Sequence, residues 1–182
     1  MTTVTFSKLD YANAEDACIL VELLDAYACD PMGGGEPISQ YVRENLPAAM
    51  AATPGAFTIV AYLEGAPVAL ANCFTALSTF AAKPLVNIHD LAVIESGRGK
   101  GIATALLDAV EKEALERGCC KVTLEVLSGN TPAKRAYEKF GFEVYVLDDA
   151  VGDALFMQKK LCLLYTSPSP RDQRGSRMPS SA

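Results

Sequence analysis

Gly97, Gly99 and Gly101 alternate with Arg98 and Lys100 in the run Val93-Ile-Glu-Ser-Gly-Arg-Gly-Lys-Gly-Ile-Ala-Thr104. The run joins an apolar stretch of strand type to an amphipathic helical pattern. A helix N-terminus presents unpaired backbone N–H groups and partial positive charge. Glycines let the backbone bend and come close to a ligand. Together these features suit a phosphate or pyrophosphate, and Arg98 and Lys100 can add charge. The spacing is neither a Walker A loop nor GxGxxG. Taken alone, the run also fits a glycine-rich turn that holds nothing.

Other residues could do proton chemistry. His89 is the only histidine in the chain, Asp90 follows it, and Glu125 lies on a later strand-like run. An imidazole titrates near 6.5 and suits a proton acceptor. Strict alternation sets His89 and Asp90 on opposite faces of a strand, so at most one would point at a substrate. His89 could instead be a hydrogen-bonded structural residue. Asp90 could hold a loop, and Glu125 could bind a cation rather than take a proton. Tyr137 sits in a short helical pattern, where it could simply pack on a sheet.

The elements that must position these groups follow from periodicity. Val4 to Leu9 alternates as a strand. Asn13 caps a helix, with Asp16 as an imperfect capping box. The apolar positions of that helix are Ala17, Leu20, Val21, Leu24 and Ala28. A loop from Asp30 to Pro37 follows, then a helix capped by Ser39 with Tyr41, Val42, Leu46, Ala49 and Met50 as its apolar side. Phe57 to Leu63, Pro67 to Ala76 and Leu85 to Ile94 read as strands. Gly101 to Arg117 is an amphipathic helix, Lys121 to Leu127 a strand, and Asn130 to Phe140 a short helix stopped by Gly141. Phe142 to Val146 and Ala154 to Gln158 would be a final strand pair.

Two of these stretches match a known pattern. Arg98-x-x-Gly101-x-Ala103 follows the strand Asp90-Leu-Ala-Val93. Further on come Leu124-Glu-Val126, Ser128-Gly-Asn130, and Ala133-x-x-Ala-Tyr137-x-Lys-x-Gly141-Phe142. In this order they resemble the GNAT superfamily of acetyl-CoA-dependent N-acetyltransferases. The likeness covers roughly residues 1–160. It implies an α/β (α+β) fold: a mixed, mostly antiparallel sheet of six to seven strands, helices on both faces, and two central strands splayed at a bulge.

The resemblance also implies roles. Backbone N–H groups of Arg98, Gly99, Lys100, Gly101, Ile102, Ala103 and Thr104 would hold the pyrophosphate of acetyl-CoA. The pantetheine arm would run along Leu91, Ala92 and Val93, and Asn130 would touch it or help fix the cofactor. An N–H near Leu91 would polarise the acetyl carbonyl. Tyr137 would protonate the departing thiolate, which suits a phenol with a pKa of about 10. The acceptor pocket would draw on the loop after the first helix, with Tyr27, Asp30, Met32, Glu36 and Asp90 as contacts, although a plain connector is equally open there. No cysteine occupies a nucleophile's position, so direct attack by an amine in a ternary complex is expected.

Composition narrows the partners. Net charge is −6, which opposes nucleic acid and favours an amine acceptor. No apolar run reaches the roughly eighteen residues of a membrane span. Six cysteines without CxxC spacing, and one histidine, argue against a metal site. Without a signal-peptide pattern, a cytoplasmic location with reduced thiols is expected. The expected acceptor is a small molecule. A protein or peptide acceptor, or a non-catalytic acyl-CoA sensor, stays open, as does a homodimer. Residues 161–182 are rich in Ser, Pro and Arg, lack periodicity and resemble adapter readthrough. They are expected to be a disordered, non-native tail.

Overall fold

A computed structural model describes residues 3–145 and 157–159. The chain divides into two units, Met1–Val144 and Tyr145–Ala182, and the first carries every element described here. Its elements run β1 (Val4–Lys8), α1 (Ala14–Cys29), α2 (Gln40–Ala52), β2 (Ala56–Leu63), β3 (Ala66–Ser78) and β4 (Lys83–Val93). A single 3₁₀ turn (Glu95–Gly97) leads to α3 (Ile102–Glu116), β5 (Val122–Leu124) and α4 (Thr131–Phe140).

Among the described residues one sheet forms, in the order β1-β2-β3-β4-β5. The first four strands pair antiparallel and β5 pairs parallel with β4. Phe57 to Ala61 and Val68 to Cys73 are buried without a break, because β2 and β3 are covered on both faces. One face packs on α3 through Ile59, Ala71, Val86, Ile88, Leu106 and Val110. The other packs on α1 and α2 through Val60, Leu70, Leu20, Leu23 and Met50. The mixed sheet with helices on both faces is as the sequence led one to expect.

Local signals place the helices. Asn13 Oδ1 accepts from the N–H groups of Glu15 and Asp16, and Ser39 Oγ accepts from Val42. Asp16 reaches back to the N–H of Asp10 rather than to the cap residue. Tyr41, expected on the buried side of α2, is 69% exposed. Leu46 and Met50 carry the packing of that helix instead.

The strands after β4 differ from expectation. Only Val122, Thr123 and Leu124 pair, with Val86, Asn87 and Ile88. The ladder stops there because β4 carries an irregularity next: Asn72 faces Asp90, while its neighbour Cys73 faces Ile88. His89 is therefore an extra residue, and beyond it, among the described residues, Leu91, Ala92 and Val93 pair with β3 alone. This is the expected splay of two central strands. Five strands are seen among the described residues, where six to seven were expected. Among the described residues, 142–145 and 157–159 pair in no strand, and the rest of the expected final pair lies outside the described residues, as does the 161–182 tail.

Candidate active site

The glycine-rich run is built for close approach. Gly101 is the N-cap of α3 with φ of 76°, and Gly99 has φ of 72°. Side chains other than glycine adopt that conformation only at a cost. A Cβ at either position would meet nothing within 4 Å, so the space above the loop is open. The first intrahelical bond is donated by Ala105, to Gly101. The N–H groups from Gly99 to Thr104 precede the helix's own i→i−4 ladder, which opens at Ala105. Backbone amides at the positive end of a fifteen-residue helix form an anion cradle.

Gly97 has a different reason to be glycine. A Cβ there would lie 2.9 Å from Val93 Cγ1 and 3.2 Å from Val68 Cβ. Gly97→Ala should lower stability by about 1–3 kcal/mol, the usual cost of overpacking, read as a lower urea midpoint. An unchanged midpoint would mean that β3 and β4 yield freely there.

The two cations of the run are already engaged. Arg98 Nε donates to the Val93 carbonyl at 3.0 Å, and its Nη2 reaches Asp30 Oδ2 at 2.7 Å. Lys100 Nζ donates to the Ser96 carbonyl. Arg98 thus straps the cradle to the end of α1. Asp30 uses both carboxylate oxygens, since Oδ1 accepts from the Met32 N–H. That amide first, and then Arg98, holds the carboxyl below its ordinary range. The Asp30 carbonyl accepts from Gly33, Gly34 and Gly35, so the Asp30–Pro37 loop is an organised turn. Met32 is 44% exposed on it, and the Glu36 N–H bonds the Ala28 carbonyl.

The bulge corrects the expected orientation of His89 and Asp90. Val86 and Ile88 face α3, and after the extra residue Leu91 and Val93 do so again. His89 and Asp90 lie between, and both turn toward α1 and α2. The His89 ring packs edge-on against Phe74, 5.7 Å between centroids. Asp90 Oδ2 accepts from Asn72 Nδ2 at 3.0 Å. Strict alternation fails because a bulge sets two consecutive side chains on one face. Glu125, just past β5, reaches the Asn87 amide at 3.4 Å, so it joins the same face. Glu125 and His89 are exposed and Asp90 is half-buried.

Tyr137, on α4, packs with the α3-side core and against Phe142. Burial pushes its phenol above the ordinary value, and nearby Tyr27 adds to this. Burial likewise raises Tyr27, followed by the charges of Asp90 and Asp30. Tyr27 therefore lies within electrostatic reach of both Tyr137 and Asp90. Asn130 caps α4, its Oδ1 accepting from the Ala133 N–H at 3.2 Å. Cys73 is fully buried and its thiol is pushed up to about 12, which leaves it a poor nucleophile.

Two buried polar residues were not singled out in the sequence, Thr58 and Asn72. Their one signal is a polar residue inside an unbroken apolar strand. Among the described residues, no group of three metal-ligand side chains converges, and no helix is long and apolar enough to cross a membrane.

The chain is similar to known proteins in sequence and in fold. Residues 20–142 match the model of the acetyltransferase (GNAT) family. A streptothricin acetyltransferase of Streptomyces lavendulae is 34% identical over 97 residues. That stretch covers 53% of this chain and 51% of the relative, so the chain spans about half the length of the relative it matches. Two solved structures are similar in fold. One is an aminoglycoside acetyltransferase from an uncultured soil metagenomic sample in complex with sisomicin, with TM-score 0.66, 18% identity, and coverage of 88% of this chain and 96% of the other. The second is an aminoglycoside N-acetyltransferase in complex with CoA, with TM-score 0.67, 16% identity, and coverage of 88% and 97%.

Proposed function

Because this chain belongs to the acetyltransferase (GNAT) family, we propose that it moves the acetyl group of acetyl-CoA to a primary amine of a small molecule, by direct attack in a ternary complex. One observation carries this reading. The amide cradle lies at one end of the segment Leu91 to Val93, which among the described residues pairs with β3 alone, and His89 and Asp90 lie at its other end, with Glu125 on the same face of the sheet. A long two-ended substrate with a diphosphate at one end and a reactive group at the other suits that layout.

Each residue then has a task. The amides of Gly99 to Thr104 receive the pyrophosphate, where Gly99 and Gly101 leave room. Leu91 and Ala92 offer backbone groups to the pantetheine arm. Val93 offers less, since its carbonyl already takes the Arg98 Nε–H. A backbone N–H near Leu91 faces the acetyl oxygen, where negative charge develops. Asn130 stabilises the start of α4 and so sets where Tyr137 stands. Asp90 and Glu125 attract the ammonium form of the acceptor, with Tyr27, Met32 and Glu36 along its path. Asp30 acts through Arg98, which fixes the acceptor loop to the cofactor strand.

The reaction needs three proton movements. The acceptor's ammonium gives one proton to His89, and the neutral nitrogen forms the bond to the carbonyl carbon. The carbon–sulfur bond breaks as Tyr137 gives its proton to the sulfur, and the nitrogen's second proton passes through water to the Tyr137 phenolate, leaving the amide, free coenzyme A and the restored phenol. The raised Tyr137 phenol stays protonated at neutral pH and is a donor rather than a base. No acetyl-enzyme is needed, in keeping with the inert Cys73.

The acceptor class is supported by the net charge of −6 and by the names of similar proteins, which specify streptothricin and aminoglycosides. A coenzyme A release assay over streptothricin, aminoglycosides, polyamines, lysine and short peptides tests it. Release with one of the small amines, and far less with peptides, is expected. Release with peptides alone would move the activity to protein acceptors. Coenzyme A binding with no release on any amine would make the domain a sensor.

A further inference from the structure

Asp90 is the last member of a hydrogen-bonded row that crosses the sheet. Thr58 on β2, Asn72 on β3 and Asp90 on β4 are direct register partners. Thr58 Oγ1 donates to Asn72 Oδ1 at 2.7 Å, and Asn72 Nδ2 donates to Asp90 Oδ2 at 3.0 Å. At the far end the Tyr11 hydroxyl lies 2.9 Å from Thr58 Oγ1. Thr58 is fully buried and Asn72 is 3% exposed.

The direction of every bond follows from its chemistry. A carboxylate can only accept, so Asn72 must turn its NH₂ toward Asp90. Its carbonyl oxygen then faces Thr58, whose single hydroxyl hydrogen must point at it. Thr58 has only lone pairs left, so Tyr11 donates. The row is thus polarised from Tyr11 to Asp90. Burial keeps the Tyr11 phenol protonated by raising it above its ordinary value, so this first donor persists. The other carboxylate oxygen, Asp90 Oδ1, has no hydrogen-bond partner among the described residues. It sits beside His89, within electrostatic reach of Tyr27.

Placing hydroxyl and amide groups in a sheet interior is expensive unless all are paired, and an apolar pair would fill the space more simply. The row ends at the bulge, which is what turns Asp90 toward this face. We propose that Tyr11, Thr58 and Asn72 are positioning residues that hold one Asp90 oxygen so that the other receives the acceptor's ammonium group. This rests on the acetyl-transfer reading above, with the acceptor on the α1 and α2 side of the sheet.

Thr58→Val keeps the shape and removes the donor that orients Asn72. With streptothricin as acceptor, its KM should rise about tenfold, with the KM for acetyl-CoA within about twofold. Thr58→Ser should restore the wild-type value. In an Asp90→Asn background Thr58→Val should add nothing, since its effect passes through that carboxylate. Tyr11→Phe, at the half-buried end, should show the same selective rise at smaller size. It keeps the row testable if Thr58→Val fails to fold. A second readout needs no turnover: the Asn72 side-chain NH₂ signal in a nitrogen-labelled spectrum should move on Thr58→Val and on Asp90→Asn. Equal effects on both substrates, additivity with Asp90→Asn, or an unmoved Asn72 signal would overturn the inference while acetyl transfer by the wild type stands. Absence of acetyl transfer to every amine tested would instead remove the reading beneath it.

Discussion

Replacing Tyr137 with Phe should lower kcat about a hundredfold while leaving the affinity for coenzyme A nearly unchanged. A positioned general acid contributes about 10²–10⁴-fold, and a thiolate is a fair leaving group, which argues for the low end. The ring should keep its place, because it packs against Phe142 and the α3-side core. Only the hydroxyl, and with it the proton, is removed. Burial first, and Tyr27 second, hold the phenol above its ordinary value. Its acid form is therefore present at and below neutral pH and is lost as pH rises through the raised pKa. The ratio of wild-type to variant kcat should stay flat to about pH 10 and fall above it. Taking the ratio cancels the titration of the acceptor amine. An unchanged kcat would remove Tyr137 from the acid role.

Gly101→Val should weaken coenzyme A binding by at least about tenfold, because two costs act together. The first is the left-handed backbone at φ of 76°, which costs a side-chain-bearing residue about 1–2 kcal/mol and so about tenfold in affinity if binding needs that conformation. The second is steric: the new methyl groups enter the open space above the amides, where no protein atom lies within 4 Å of a Cβ. Titration calorimetry with coenzyme A reads both. Unaltered affinity would mean that the pyrophosphate does not sit on the start of α3.

The same loop separates what local sequence carries from what folding adds. Helical period and glycine placement locate α3 and its N-terminus, because both are local properties. The cradle amides belong to the backbone, so what the letters must supply there is glycine at positions 99 and 101. Where the Arg98 side chain goes is not legible in the sequence. Its partner Asp30 is 68 residues away along the chain, and only folding brings them together. A pyrophosphate contact and a strap to the acceptor loop look alike in a string of letters.

The bulge at His89 marks the other limit. Alternation describes β4 well on either side of it but assumes an unbroken period. One inserted residue reverses every face beyond it. That is why alternation sets His89 and Asp90 apart, whereas the fold places them together. Nothing in Asn-Ile-His-Asp-Leu announces the insertion, since bulges depend on the partner strand, here at Asn72 and Cys73. The Thr58–Asn72–Asp90 row is hidden for the same reason: three residues far apart in sequence become neighbours only once register is set. The parting of β4 from β5 is expected from the family resemblance, whereas local propensity carries no sign of where the pairing stops.

The central claim is acetyl transfer from acetyl-CoA to a small amine by direct attack. Mass spectrometry of a mixture of the protein, acetyl-CoA and streptothricin tests it most directly. Direct attack predicts that streptothricin gains the mass of one acetyl group, and that the protein keeps its own mass at every time point. An acetylated protein that then passes its group to the amine would contradict direct attack, and an unchanged acceptor across the whole amine panel would contradict the function.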